Sequence, residues 1–347
     1  MRQHAARYDH LLSLIDDTGI FEHARYGVPR RDHGYVVDDA ARAAVVLCEA
    51  PEGPGRRDAL HTVLSFVINA QRPDGRFHNR LGYDRRWRDR VGSDDAAGRA
   101  MWALGVASAR APVPAWRAAA RSALETAQLP RSSHLRPPAF AALGAHAMWR
   151  DRPDDTLAMG IMEQVAPRFN RLADPWPEAR LTYANGRLPH AMLVVGEATN
   201  RPHVVDRALE MLAWLERVET RGEHYSFAPV GGWAPGEPRP GFDQQPIEAA
   251  AIASAAERAW KLTGDIRWRA AVLRAGRWLD GYNDARTPLY DPVTGACRDG
   301  LTSAGANQNL GAESTLAGLE VMHACTRVGL TPAPGAIGPN AAAEVHG

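Results

Sequence analysis

The sequence predicts an all-α protein, an (α/α)6 toroid of six inner and six outer helices with long loops on one face. Three observations predict it. Helical apolar spacing alternates with loops rich in Gly, Pro, Asp and Trp along most of the 347 residues, and β-alternation is scarce. The helical segments fall into two alternating sets, one crowded with Ala and Gly, the other amphipathic and charged. The first set starts at residues 38, 94, 138, 188, 246 and 312, intervals of 44 to 66 residues that suit one helical hairpin plus a loop. The competing architecture, an open α-solenoid, usually has more similar repeats and shorter loops.

The segments follow in order. Residues 8–16 form the first outer helix, and residues 38–49, rich in Ala and Val, the first inner one. The outer helix over 57–70 leads to the inner helix over 94–108, and 114–128 to 138–149. The fourth and fifth outer helices, 155–169 and 202–218, flank the inner helix over 188–198. Pro246 opens the inner helix over 246–262, where its missing N–H is not needed. The pair 266–281 and 312–326 completes the set. Short extended pieces are expected near Tyr225-Ser226-Phe227-Ala228 and Pro288-Leu289-Tyr290. Residues 1–329 read as one domain, and residues 330–347, rich in Pro, Gly and Ala, as a flexible C-terminal tail.

Bulk properties narrow the function. A hydrophobic fraction of 45% supports a large core, and 41 Lys+Arg against 40 Asp+Glu favours neither nucleic acid nor an anionic membrane. Cys48, Cys297 and Cys325 are widely spaced and lack CxxC spacing, against a disulfide framework or structural zinc. The polar start has no signal-peptide pattern and no run reaches the length of a membrane span, so a cytoplasmic protein is expected.

The loops entering the inner helices carry the chemistry, because loops on a rigid scaffold are where function concentrates. An acidic pair opens two of these helices, Asp38-Asp39 and Asp94-Asp95, each followed by small residues. One Asp of each pair is expected to cap its helix, leaving the other for a ligand. Beyond them lie Glu178, Asp243, Glu248 and Glu313, with Tyr35, Trp87, Trp176, Tyr183, Trp233 and Phe242 nearby. Carboxylates for acid/base work beside aromatic faces that stack on sugar C–H surfaces describe a carbohydrate site, and glycoside hydrolysis needs two carboxyl groups across the scissile bond. The expected catalytic set is Asp38, Asp39, Asp94, Asp95, Glu178, Asp243 and Glu313. The expected substrate contacts are Tyr35, His78, Trp87, Trp176, Tyr183, Asn185, His190, Trp233, Gln245 and Glu248. Each has a structural alternative: Glu178 and Glu248 as helix-dipole acids, His190 as a satisfied polar residue, and Trp102, Trp149, Trp214 and Trp260 as core. No metal or cofactor is expected. No EF-hand spacing, HExxH, GxGxxG after a strand, Walker A or GxSxG occurs, which also argues against NTP- or dinucleotide-dependent chemistry.

The strings Asp17-Thr18-Gly19-Ile20-Phe21-Glu22-His23-Ala24, Gly34-Tyr35-Val36-Val37-Asp38-Asp39-Ala40-Ala41-Arg42-Ala43, Phe227-Ala228-Pro229-Val230-Gly231-Gly232-Trp233 and Gly311-Ala312-Glu313-Ser314-Thr315 resemble a bacterial family of (α/α)6-barrel proteins. Its members occur alone or fused behind a retaining-type glycosyltransferase domain. The resemblance spans residues 8–328. It implies a sugar-related role, without the glycosyltransferase label, since no Rossmann-type half is seen. The fold also resembles six-hairpin glycosidases and the N-acylglucosamine 2-epimerase group. In the unsaturated glucuronyl hydrolase type, acids at the mouths of consecutive inner helices do the chemistry, and Asp38/Asp39 and Asp94/Asp95 sit similarly. The epimerase type relies on paired histidines, for which His190, His134 and His224 are the candidates. The expected function is therefore a glycoside hydrolase acting on an oligosaccharide or glycoside. A phosphorylase using Arg76, His78 and Arg187, an epimerase, and a non-catalytic glycan-binding partner of a glycosyltransferase are the alternatives.

Overall fold

The computed structural model describes residues 5–170 and 172–329, and the tail expected over 330–347 lies outside the described residues. The inner helices are α2 (Val37–Glu49), α4 (Asp94–Arg110), α6 (Arg136–Asp151), α8 (Arg187–Ala198), α10 (Pro246–Thr263) and α12 (Ala312–Arg327). The outer helices are α1 (Asp9–Ser13), α3 (Arg56–Asn69), α5 (Pro114–Thr126), α7 (Thr156–Val165), α9 (Pro202–Val218) and α11 (Ile266–Leu279). Each inner helix packs on the next, and α12 packs back on α2, so the ring closes. The first outer helix is shorter than its apolar spacing suggests, because the chain turns at Leu14 into the loop before α2.

Composition explains the two layers. Every residue of α10 from Pro246 to Ala259 is buried, whereas α5 buries only Ala120, Ala123 and Leu124. An inner helix is enclosed on all sides, so it is built from small residues, while an outer helix keeps a wet face. Small residues also set the approach of α4 to α6. A Cβ placed on Gly105 would lie 2.5 Å from the Gly144 carbonyl carbon, closer than any side chain tolerates. The main apolar cluster runs from Leu11 to Val328. Cys48, Cys297 and Cys325 are buried free thiols. Among the described residues, no helix is long and apolar enough to cross a membrane.

Connections from inner to outer helices are short, while most of those from outer to inner helices are long and carry the β-structure. Four two-stranded antiparallel pairs lie there: β1 (Ala24–Arg25) with β2 (Val28–Pro29), β3 (Tyr35–Val36) with β4 (Arg80–Leu81), β5 (Thr220–Arg221) with β6 (His224–Tyr225), and β7 (Leu301–Thr302) with β8 (Gly305–Ala306). The extended piece expected near residue 225 is β6, while Tyr290 makes only an isolated bridge to Cys297. The β3–β4 pair joins the loop before α2 to the loop before α4, which brings the two acidic helix starts together.

Candidate active site

Neither acidic pair caps its helix. At α2 the Asn79 carbonyl, from the next long loop, accepts from the Val37 N–H at 2.9 Å, and Asn79 Oδ1 lies 3.4 Å from the Asp38 nitrogen. At α4 the cap is Ser93, whose Oγ accepts from the Ala96 N–H at 3.1 Å. The expected division into one capping and one free Asp is thus replaced by an external cap at each helix. All four carboxylates are released from the helix ends.

What holds the first pair is a guanidinium. Arg42, one helical turn after Asp38, contacts Asp38 Oδ2 at 3.1 Å, Asp39 Oδ1 at 2.9 Å and Glu313 Oε2 at 2.8 Å. Arg99 of α4 reaches across to Asp38 Oδ1 at 2.5 Å, with its guanidinium 4.1 Å from the centre of the Phe140 ring. The two neighbouring carboxyls are therefore pushed in opposite directions. Burial raises the Asp38 pKa, but Arg42 and Arg99 together outweigh it and hold this carboxyl below its usual range. Asp39 is 3% exposed, and burial pushes its pKa well above the carboxylate range against the single pull of Arg42, with Asp38 and Glu313 adding repulsion. Arg42 and Arg99 are the residues that motif reading passed over. The signal was present, because an arginine stands four residues after Asp38 and four after Asp95, the spacing that puts them on one helix face.

Asp38, Asp39, Arg42, Glu313, Asn79 and Gln245 line an open cavity of about 840 Å3 at the N-terminal ends of the inner helices. Glu22, Arg80 and Asp299 add to its lining. Among the described residues, Glu22, His23 and His33 have metal-ligand spacing, with one ligand atom each within 4.8 Å of the others. Both Glu22 oxygens, however, already accept from Arg80, at 2.8 and 2.7 Å.

The second pair splits differently. Asp94 is exposed, while Asp95 turns inward and accepts a short hydrogen bond from the Tyr183 hydroxyl. Arg99 feels both Asp38 and Asp95, which couples the two helix starts electrostatically. Behind Tyr183 lies a buried knot. Arg136 holds both Glu178 oxygens at 2.7 Å and donates to the Tyr183 carbonyl at 2.6 Å and to Asn185 Oδ1 at 3.0 Å. Glu248 accepts from the Ala184 N–H, from the Asn185 N–H at 3.1 Å and from Asn185 Nδ2 at 3.0 Å. Burial raises the Glu248 pKa to about 7, and its neighbour Glu219, also buried, to about 8. Glu178, Asn185 and Glu248 thus brace the loop that presents Tyr183, a different role from the catalytic and substrate contacts expected of them.

Several other expected contacts are not brought to the cavity. Tyr35 is 1% exposed, donates to Asp16 Oδ2 at 2.6 Å and stacks on Phe21. His78 is held by Asp89 at 3.0 Å and stacks on Trp87, so these two rings build the second loop while Asn79 beside them reaches the cavity. Trp176 is buried against Trp214. Trp233 donates to the Glu237 carbonyl and lies under Arg239, and Asp243 is exposed in the loop before α10. His190 opens to a chamber at the other end of the barrel. His134 is exposed, and His224 pairs with Asp284 at 3.0 Å. The phosphorolytic cluster is dispersed: Arg76 pairs with Asp74 on the surface, His78 with Asp89, and Arg187 with Glu320 inside the barrel. Aromatic spacing in a loop does not reveal which rings the loop consumes for its own packing.

No family model matches the chain, and no curated protein matches it in sequence. Solved structures do. A cellobiose 2-epimerase from Spirochaeta thermophila superimposes with a TM-score of 0.68 at 12% identity, over 93% of this chain and 94% of that one. The cellulase Cel9M of C. cellulolyticum, in complex with cellobiose, gives 0.61 at 10% identity, over 88% and 87%. An inactive variant of an α-1,6-mannanase of Salegentibacter sp., with two consecutive Asp→Asn substitutions and bound α-1,6-mannotriose, gives 0.58 at 12% identity, over 92% and 96%. The chain shares its fold, an (α/α)6 toroid, with these proteins.

Proposed function

We propose that the protein is a carbohydrate-active enzyme, a glycoside hydrolase whose substrate is an oligosaccharide or glycoside bound at the N-terminal mouth of the barrel. One observation carries this reading: Asp38 and Asp39, consecutive and lining one cavity, sit in environments that push their pKa values in opposite directions. Environments that drive two carboxyls apart in this way assign an acid and a base. Asp39 keeps its proton and delivers it to the glycosidic oxygen as the C1–O bond breaks. Asp38, ionised between two guanidiniums, takes the developing positive charge at C1, by attack or by activating water. The α-1,6-mannanase relative in fold, inactive with two consecutive Asp→Asn substitutions, supports the choice of an adjacent pair.

Glu313 has a different part. Its Oε2 and Asp39 Oδ1 contact the same Arg42 Nη1, at 2.8 and 2.9 Å, so they lie at most 5.7 Å apart. The Arg42 guanidinium lies between these two carboxyls, where a sugar would have to lie for them to act as a catalytic pair. Glu313 therefore serves to fix Arg42. Epimerisation needs a base beside a sugar C–H, and His190, the expected base, lies away from the acids at the other end of the barrel. A cytoplasmic location is part of this proposal.

The test is a screen of mannosides, glucosides, galactosides and arabinosides for released sugar, with and without phosphate, alongside a screen for epimerised disaccharide. Hydrolysis independent of phosphate is expected, and Asp38→Asn and Asp39→Asn each lower turnover by about 10²–10⁴-fold. Wild-type turnover in both variants refutes the paired-acid mechanism. Tight sugar binding without turnover favours a glycan-binding partner of a glycosyltransferase instead.

A further inference from the structure

The barrel has a second opening. Below Arg42 and Glu313 the axis narrows to a neck lined by Arg99, Trp102, Arg187 and Glu320. Arg187 holds both Glu320 oxygens at 2.6 Å and lies 4.8 Å from the centre of the Trp102 ring. Past the neck, at the C-terminal ends of the inner helices, a chamber of about 1000 Å3 opens to solvent. Val45, Val46, Trp102 and Glu320 line both neck and chamber, so the cavities lie in series along α2.

The chamber is built unlike the mouth. Arg110, Arg150, Arg258, Lys261 and Arg327 line it, against Glu49, Glu257 and Glu320. Glu320 is already neutralised by Arg187, and Glu49 and Glu257 by Arg110, Arg327 and Lys261. Arg258 is paired with Glu197, and Arg150, exposed at the rim, is the chamber's cation without an ion-pair partner among the described residues. The floor is neutral and polar. His190 Nδ1 is buried without a hydrogen-bond partner, while His146 Nε2 lies 3.4 Å from Glu197 Oε2. Burial and nearby guanidiniums push both imidazoles down, His146 to about 2, so each presents one donor and one acceptor nitrogen. A buried polar atom without a partner costs about 1–3 kcal/mol, which favours a ligand that supplies hydroxyls there.

We propose that this chamber binds a phosphorylated sugar, its phosphate against the unpaired Arg150 and the neighbouring ion-paired Arg258 and Lys261 at the rim, and its hydroxyls against His190 Nδ1 and the Ser254 hydroxyl, which already donates to Glu320, on the floor. Guanidiniums match phosphate oxygens in paired hydrogen bonds. Neutral imidazole and hydroxyl groups match sugar hydroxyls, each of which donates and accepts. The site lies at the opposite end of the barrel from Asp38 and Asp39 and stands independently of the hydrolase reading.

Isothermal titration of the full chain with glucose 6-phosphate, mannose 6-phosphate, inorganic phosphate and glucose, in phosphate-free low-salt buffer, tests the assignment. A hexose phosphate is expected to bind saturably and at least about ten-fold more tightly than inorganic phosphate or free glucose. Arg150→Glu and Lys261→Gln, both at the exposed rim, each weaken it about ten-fold, while Asp39→Asn at the far mouth leaves it unchanged. Three results overturn the proposal: no saturation by about 10 mM of either hexose phosphate, equal affinity for inorganic phosphate, or binding lost in Asp39→Asn but kept in Arg150→Glu.

Discussion

Replacing Arg42 with Met removes the cation at the centre of Asp38, Asp39 and Glu313. The Arg42 side chain is 12% exposed and makes three contacts of 2.8 to 3.1 Å, so no solvent replaces it readily. Breaking a buried ion pair by deleting one partner costs about 3–5 kcal/mol, because the remaining charge is left unpaired. For a chain of this size each kcal/mol lowers Tm by about 2 °C, so the expected drop near neutral pH is about 6–10 °C. The loss must depend on pH. In the native protein the Asp38 pKa is depressed, so its ionised form contributes stability above the unfolded carboxylate pKa, and this is lost as pH falls through the lower folded pKa. Without Arg42 the Asp38 carboxyl loses one of its two downward pulls against burial, so its pKa moves up and its ionised form contributes less stability. The gap between native and variant protein is therefore smallest in acid, where Asp38 is protonated in the folded as well as the unfolded state, and widens as pH rises toward about 8. Thermal or urea unfolding across that range measures it. A gap that stays constant with pH, or below about 1 kcal/mol at pH 8, refutes the assignment of Arg42 as the neutralising centre.

Three further outcomes are expected. Gly105→Ala drives a Cβ into the Gly144 backbone and should cost about 1–3 kcal/mol in urea unfolding, whereas Gly160→Ala, with nothing within 4 Å, should be neutral or stabilising by up to about 1 kcal/mol. Ser93→Ala should lose about 1 kcal/mol of cap energy, while Asp94→Ala, exposed and not capping, should change stability by about 0.5 kcal/mol or less; a larger loss at Asp94 would restore the Asp-cap assignment. With Asp39 as the proton donor, turnover on the identified substrate should fall as pH rises through its raised pKa. The acid limb, set by Asp38, should lie below the ordinary carboxylate range, and a profile that instead rises toward alkaline pH contradicts these roles.

Much of the fold was legible because period and composition are local properties. Alternating Ala/Gly-rich and amphipathic segments mark enclosed and half-wet helices wherever they pack, and the twelve α-helices among the described residues fall within the expected segments to a few residues. The acidic helix starts were also legible, as was their place at the loop-bearing mouth. The finer roles were not. Capping at α2 comes from Asn79, 41 residues after Asp38 in the chain, and Ser93 competes with Asp94 and Asp95 at α4. Tyr35, Trp87 and Trp176 have the composition of sugar-stacking residues, yet their own loops and the core bury or stack their rings.

The sequence by itself determined the helical ring and its two layers, since side-chain volume and apolar period act within each segment. Only the tertiary structure decided which carboxyl is charged and which chamber each histidine meets. Those depend on Arg99 reaching Asp38 from another helix, on Glu313 closing over Arg42 from the far end of the chain, and on the depth at which α8 places His190. Charge state follows from desolvation and from the sum of nearby charges, and both exist only once distant segments share one enclosed space.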